Sequence, residues 1–254
     1  MSVEYKIYKV ISNFEISKGI YKLIVDGKFD AKPGQFYMLR AWDREPILSR
    51  PISVNDLDNK SISFVYQVVG KGTEILKNLK KDDDIQLLGP SGNYFDVNKL
   101  SGKVAIVAGG IGIAPMQYLT KAINDIKAVN GITAVDIYAG FRDETYIIDE
   151  FKEYINNIYI STENGKYGYK GFVTEIFKPE SYDIVLCCGP EIMMNKVVKM
   201  CVDVNVPILV SMEKHMACGI GACLVCTCKT VNGNKRTCKD GPIFSGQDLV
   251  LIDN

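Results

Sequence analysis

Four cysteines near the end of this chain constrain it more than any other feature. Cys218, Cys223, Cys226 and Cys238 lie in the run MACGIGACLVCTCKTVNGNKRTCKDGP, spaced C-x4-C-x2-C with a fourth cysteine after eleven further residues. That is the plant-type spacing for a [2Fe–2S] cluster. Four thiolates must converge on two irons, and a loop wrapped that closely needs small residues so that backbone N–H groups can reach the sulfurs. Ala217, Gly219, Gly221 and Ala222 supply them. Asn232-Gly233 predicts a tight hairpin turn that folds residues 235–238 back alongside 224–229 and returns Cys238 to the other three. Cys228 is a fifth candidate: the spacing prefers Cys226, but the hairpin alone does not exclude Cys228. The competing readings are a structural zinc site, which favours paired C-x2-C knuckles, and unpaired core thiols. A cluster moves single electrons, so the spacing points to electron transfer. Cys187 and Cys201 read as core thiols.

At 254 residues and 47% hydrophobic, the chain is long enough for two ordinary domains with a sizeable core. Its formal net charge is zero, which argues against nucleic acid as a partner. No stretch approaches the length of a membrane-spanning helix, and the opening MSVEYKIYKVISNF lacks the apolar core of a signal peptide. The expectation is a cytoplasmic protein without a membrane partner. In that setting eight cysteines gathered toward one end favour metal ligation over disulfides. The one histidine, His215, excludes a histidine-rich metal site and reads as a surface or packing residue.

Three regions follow one another. Residues 1–98 show short alternating runs (5–14, 21–25, 35–41, 62–69, 84–88) broken by turn signals, which predicts a β-barrel or sandwich. Residues 99–212 alternate strand and helix: strands at 104–108, 135–139, 158–161, 184–188 and 207–212, helical stretches at 115–129, 145–154 and from Gly189-Pro190 through Val202. This predicts a doubly wound parallel α/β sheet. Residues 213–254 form a cysteine module with a short tail.

Within the first region, Arg50-Pro51-Ile52-Ser53 offers a guanidinium and a hydroxyl suited to phosphate. Val65-Tyr66-Gln67 leads to Gly72-Thr73, which opens a predicted helix over 73–79 whose free N–H groups face an anion. In the second region, Gly109, Gly110 and Gly112 follow the first strand and precede Pro115 at a helix start. Glycines there let a backbone approach a pyrophosphate. The loop departs from G-x-G-x-x-G, with Pro115 in the place of the third glycine.

In this order the pieces resemble the ferredoxin–NADP reductase superfamily. Arg50–Ser53 is similar to its R-x-[YF]-[ST] flavin motif, with Ile52 replacing the aromatic, and Gly89-Pro-Ser-Gly-Asn-Tyr-Phe95 to its interdomain G-P-x-G-x-F link. Gly109–Pro115 resembles its nucleotide loop, and Cys188-Gly189-Pro190 its C-G-P motif beside the nicotinamide. Met212-Glu213, the run 216–223, Ser161–Thr174 and Cys238-Lys-Asp-Gly-Pro-Ile-Phe244 resemble the electron-transfer subunits of type B dihydroorotate dehydrogenases. The resemblance implies an antiparallel Greek-key flavin barrel, FAD, one [2Fe–2S] cluster, and NAD as co-substrate. It also implies a catalytic partner subunit carrying FMN, in a heterotetramer of two of each, serving pyrimidine biosynthesis. Its FAD contacts would be Arg50, Pro51, Ile52, Ser53, Val65, Tyr66, Gln67, Gly72 and Thr73, and its cluster ligands Cys218, Cys223, Cys226 and Cys238.

No general acid or base is expected, because the chemistry belongs to the cofactors. Lys214, Lys229, Lys235, Arg236 and Lys239 outnumber Glu213 and Asp240 around the cysteines, which would favour a reduced cluster, form a docking face or merely be solvated. Glu163 in Ser161-Thr162-Glu163-Asn164 would repel a 2′-phosphate and suits NAD, with Arg142 as a countersignal. The rivals are the flavin/iron–sulfur subunit of a sulfhydrogenase or of an NADH-dependent ferredoxin:NADP oxidoreductase, and, in another class, a non-enzymatic zinc-binding module.

Overall fold

The computed structural model describes residues 3–250; Met1 and Ser2 of the opening run and residues 251–254 of the tail lie outside the described residues. Strands β1 (Glu4–Ser17), β2 (Ile20–Asp26), β3 (Phe36–Arg40), β4 (Arg50–Leu57), β5 (Ser61–Gln67) and β6 (Asp84–Ser91) close into an antiparallel barrel ordered β1-β2-β5-β4-β3-β6. The pattern of β6 shows why: Ile85, Leu87, Gly89 and Ser91 are buried and alternate with more exposed neighbours. Strand β1 serves two partners. Its first half pairs with β6 and its second with β2, and register shifts after Val10 and Glu15 bend it enough for closure.

Strand β4 carries the Arg50–Ser53 motif and runs through Pro51. A proline is poorly tolerated inside a sheet except where one edge is unpaired. Here Arg50, Pro51, Ile52 and Ser53 pair only with β3, and the ladder to β5 begins at Val54. The helix α1 (Lys71–Lys77) follows β5, starting two residues earlier than predicted.

The second sheet contains β7 (Gly102–Gly109), β8 (Ile132–Phe141), β9 (Asn157–Thr162), β10 (Tyr169–Lys170), β11 (Ile184–Cys188), β12 (Ile208–Ser211) and β15 (Ile243–Ser245), in the order β10-β9-β8-β7-β11-β12-β15. All neighbours are parallel except β12 and β15. Helix α2 (Met116–Ile126) packs Met116, Leu119 and Ile123 on one face. Helix α3 (Glu191–Asp203) packs Met194, Val197, Val198 and Cys201 on the other. The strand order reverses between β7 and β11, the topological switch point where such sheets bind ligands.

The helix predicted over 145–154 does not form. A single 3-10 turn, Ile148–Phe151, takes its place. Ile147 adopts a left-handed backbone (φ 52°) that interrupts any helix, while its side chain and that of Phe151 enter the core. Strands β13 (Thr227–Thr230) and β14 (Gly233–Arg236) form the predicted hairpin, one residue out of step. Val231 and Asn232 make the turn, and Gly233 (φ 91°) already pairs with Thr230.

The regions share one body. Ile20, Val65 and Phe95 belong to the same apolar cluster as α2 and β7. Asn55 donates to the buried Ala114 carbonyl at 2.8 Å, Tyr118 donates to the Ala31 carbonyl at 2.9 Å, and Lys121 pairs with Asp56 at 2.7 Å. Asn93, in the link after β6, donates to the Ile243 carbonyl (2.7 Å) and accepts from the Ile243 amide (2.8 Å). Among the described residues, no helix is long and apolar enough to cross a membrane.

Candidate functional site

A cleft of about 950 Å³ opens where barrel, second sheet and cysteine segment meet. The barrel contributes Arg50, Pro51, Ile52, Ser53, Val65, Tyr66, Gln67 and Thr73. The loop after β7 contributes Ile111, Ala114 and Pro115, and the segment after β12 contributes Met212, Glu213, Lys214, His215 and Met216. The geometry follows from β4. Because Arg50–Ser53 have no ladder partner on β5, and Val65–Gln67 pair only with β2, two strand edges diverge across a gap. Main-chain groups on those edges are available to a ligand lying between them.

Arg50 is placed for an anion. Its guanidinium donates to the Leu48 carbonyl and lies 5.5 Å from the Trp42 ring, and burial lowers its pKa with no carboxylate contributing. Gly72 keeps it there: a Cβ at Gly72 would collide with Arg50 Nε. Thr73 lines the cleft and also secures the backbone behind it. Its hydroxyl accepts from the Val69 and Gly70 amides (3.0 and 3.1 Å) and so caps its own helix start. Tyr66 is buried, its ring in the barrel core and its hydroxyl donating to Asn13.

The glycine loop after β7 interlocks with the Cys188-Gly189-Pro190 loop after β11. A Cβ at Gly112 would lie 2.6 Å from the Cys188 carbonyl oxygen, and one at Gly109 2.8 Å from Pro190 Cδ. Gly110 (φ 52°) faces open space. Cys188 is buried, and burial followed by the nearby Glu213 carboxylate drives its thiol pKa well up, so it stays neutral. Glu213 is reached by solvent through the cleft yet is surrounded by protein mass, and burial raises its carboxyl pKa.

The cysteine loop sits against the barrel wall. Cys226 and Cys238 pack with Phe36 and Met38, and the Cys238 amide donates to Cys226 Sγ at 3.4 Å. Gly219 and Gly221 take left-handed backbones (φ 70° and 84°), and the Ala222 amide donates to Cys218 Sγ at 3.3 Å. Burial opposes ionisation of Cys218, but amides of Ile220, Cys223 and Ala222 together with the Cys223 side chain bring its pKa down to about 6. Cys238 is pushed up to about 12, by burial first and then by Cys226. Cys223 is exposed, with Ile220, Leu224 and Val225 exposed around it. Cys228 faces elsewhere, into the cluster of Met212, Val210 and Phe244. Arg236 organises the loop: it pairs with Asp240 at 3.0 Å, donates to the Gly221 carbonyl at 3.1 Å, and by hydrogen bonding holds the Asp240 carboxyl at about 2. Lys214 pairs with Glu191 at 2.9 Å. Among the described residues, no three His, Cys, Asp or Glu side chains are grouped to hold a single metal ion. A two-iron cluster spreads four thiolates over two metal centres and asks for a wider cage.

Of the residues expected at the site, the cleft lining takes Arg50–Ser53, Val65–Gln67 and Thr73, whereas Gly72, Gly109, Gly110, Gly112, Cys188–Pro190 and the four cysteines lie outside it; Ile111, Ala114, Glu213 and Met216 line it without having been expected there. The signal was the run from Met212 to Met216, which joins β12 to the cysteines and therefore must cross the cleft mouth.

A closed barrel and a doubly wound nucleotide sheet sharing a cleft, with a four-cysteine loop at its rim, define an oxidoreductase of the ferredoxin reductase type. Residues 106–199 match the oxidoreductase NAD-binding domain, and residues 213–250 match the iron–sulfur cluster binding domain of dihydroorotate dehydrogenase B. The chain is 58% identical over 253 residues to the dihydroorotate dehydrogenase B (NAD(+)) electron transfer subunit of Clostridium acetobutylicum, covering 100% of both chains. It is 51% identical to that of Clostridium perfringens, covering 98% of this chain and 99% of the relative. Among solved structures, it superposes with TM-score 0.84 and 28% identity on an NADH-dependent reduced ferredoxin–NADP oxidoreductase studied for flavin-based electron bifurcation, covering 97% of this chain and 90% of the other. The chain belongs to the family of dihydroorotate dehydrogenase B electron transfer subunits.

Proposed function

We propose that this chain carries electrons between NAD and a dihydroorotate-oxidising partner subunit, with FAD in the cleft and a [2Fe–2S] cluster held by Cys218, Cys223, Cys226 and Cys238. The carrying observation is that one cleft is lined at once by the barrel, the nucleotide loop and the segment leading into the cysteines. Bound there, FAD supplies the exchange between the hydride of a nicotinamide and the single electrons of a cluster. The chain's own residues hold and orient. Arg50 and the edges of β4 and β5 suit the flavin and its phosphates; Gly109, Gly110 and Gly112 suit the pyrophosphate of NAD; Cys188, Gly189 and Pro190 border the nicotinamide end. The exposed Cys223, ringed by Ile220, Leu224 and Val225, suits contact with the partner. The partner would carry FMN, in a heterotetramer of two of each subunit, in the cytoplasm. Residues 1–98, 99–212 and 213–254 serve as flavin, nucleotide and cluster domains.

The absorbance spectrum of anaerobically purified protein tests this. Flavin bands with a broad iron–sulfur shoulder, both bleached by NADH, are the expected result. A colourless protein containing zinc would overturn it. Replacing Arg50 by Ala removes a charged donor to phosphate, an interaction of about 1.5–3 kcal/mol. FAD binding should weaken by about 10- to 150-fold, read by flavin release on dilution, while iron content stays.

A further inference from the structure

Two loops at the carboxyl edge of the second sheet carry a charge arrangement that electron transfer does not use. Arg142, Asp143 and Glu144 follow β8; Glu163, Lys166 and Tyr167 follow β9. The loops are tied together: the Glu163 amide donates to the carbonyls of Phe141 and Arg142 at 3.3 and 3.1 Å, and Asn164 donates to Asp143 Oδ1 at 3.3 Å. Glu144 sits at the centre. One carboxylate oxygen takes Lys166 Nζ at 2.5 Å, and the other takes the Tyr167 hydroxyl at 3.2 Å. Arg142 lies 3.8 Å from Asp143.

This edge is where a doubly wound sheet receives the adenosine ribose of a dinucleotide. A 2′-phosphate there needs an ammonium or guanidinium, with a hydroxyl beside it, free to donate. Lys166 and Tyr167 form such a pair, and both are engaged by one carboxylate. We infer that Glu144 sets the choice of NAD over its 2′-phosphorylated form, by occupying Lys166 and Tyr167. Glu144 is a positioning residue: it acts through Lys166 and need not touch the nucleotide. The inference rests on the nucleotide reading of this sheet and adds the side chain that enforces it. Exposed ion pairs contribute little to folding, so the fold does not depend on this one.

The test uses the full chain with its cofactors and titrates adenosine 2′,5′-bisphosphate and 5′-AMP calorimetrically, taking the ratio of the two affinities as the readout. In Glu144→Gln the ratio should move about tenfold toward the bisphosphate, the size of one additional charge-assisted hydrogen bond. Adding Lys166→Met should return it to the unsubstituted value. A ratio that does not move in Glu144→Gln, or a shift that survives Lys166→Met, overturns the inference. Wild-type protein that binds neither nucleotide overturns the nucleotide site itself, and the inference with it.

Discussion

Cys226→Ser is expected to yield protein with FAD but without iron and acid-labile sulfide, whereas Cys228→Ser keeps both. The two cysteines are two residues apart, and spacing alone leaves either as the third ligand. Their surroundings separate them. Cys226 is buried beside Cys238, whose amide points at its sulfur, and both press on Phe36 and Met38 of the barrel wall. Cys228 belongs instead to the apolar cluster of Met212, Val210 and Phe244. A serine at 228 puts a more polar group beside the Thr237 hydroxyl within a largely apolar cluster, at a cost of about 1 kcal/mol in stability. Its effect should therefore appear as a lower melting temperature with a normal visible spectrum. The opposite pattern, iron lost with Cys228→Ser and kept with Cys226→Ser, would reverse the ligand assignment.

Gly112→Ala should abolish flavin bleaching by NADH while leaving FAD and iron in place. The new Cβ would stand 2.6 Å from the Cys188 carbonyl oxygen and 2.7 Å from Gly189 Cα. Both are main-chain atoms, so no side-chain rotation relieves the overlap. The loops after β7 and β11 must move apart, and these are the loops proposed above to hold the nicotinamide nucleotide. Overpacking of this kind costs about 1–3 kcal/mol, and stability should fall with it. Stopped-flow mixing with NADH and a thermal melt check both parts; wild-type bleaching at the wild-type melting temperature would refute the interlock.

The cysteine hairpin and the glycine loop were legible in the sequence because each depends on local residues: a hairpin needs its turn, and a tight strand-to-helix turn needs glycine. The gap beside β4 was not, because the lack of partners for Arg50–Ser53 on β5 is a property of the closed barrel and not of the segment's own residues. The helix predicted over 145–154 failed for a similar reason. Its apolar spacing is real, but Ile147 and Phe151 are drawn into the core below β8 and β9, and Glu150 pairs with Lys22 of the barrel at 2.7 Å. Tertiary contacts outweighed a short run's own preference. The engagement of Lys166 and Tyr167 by Glu144 was also illegible, since it joins loops from two different strands. The sequence does show opposing charges there, and Glu163 and Arg142 bear on the same choice of nucleotide.

The last strand completes the picture of how the cysteine loop is carried. β15 pairs antiparallel with β12, Ser211 opposite Ile243, and the Met212 amide donates to the Pro242 carbonyl at 2.8 Å. Everything from Met212 to Pro242 is thus one long excursion between two adjoining rungs of a ladder. Both its feet stand on the lip of the cleft, so it has no tether on which to swing. A cluster held in this excursion, with Cys226 and Cys238 packed on the barrel wall, would keep a separation from the cleft set by hydrogen-bond register, unlike a carrier shuttling on a flexible linker.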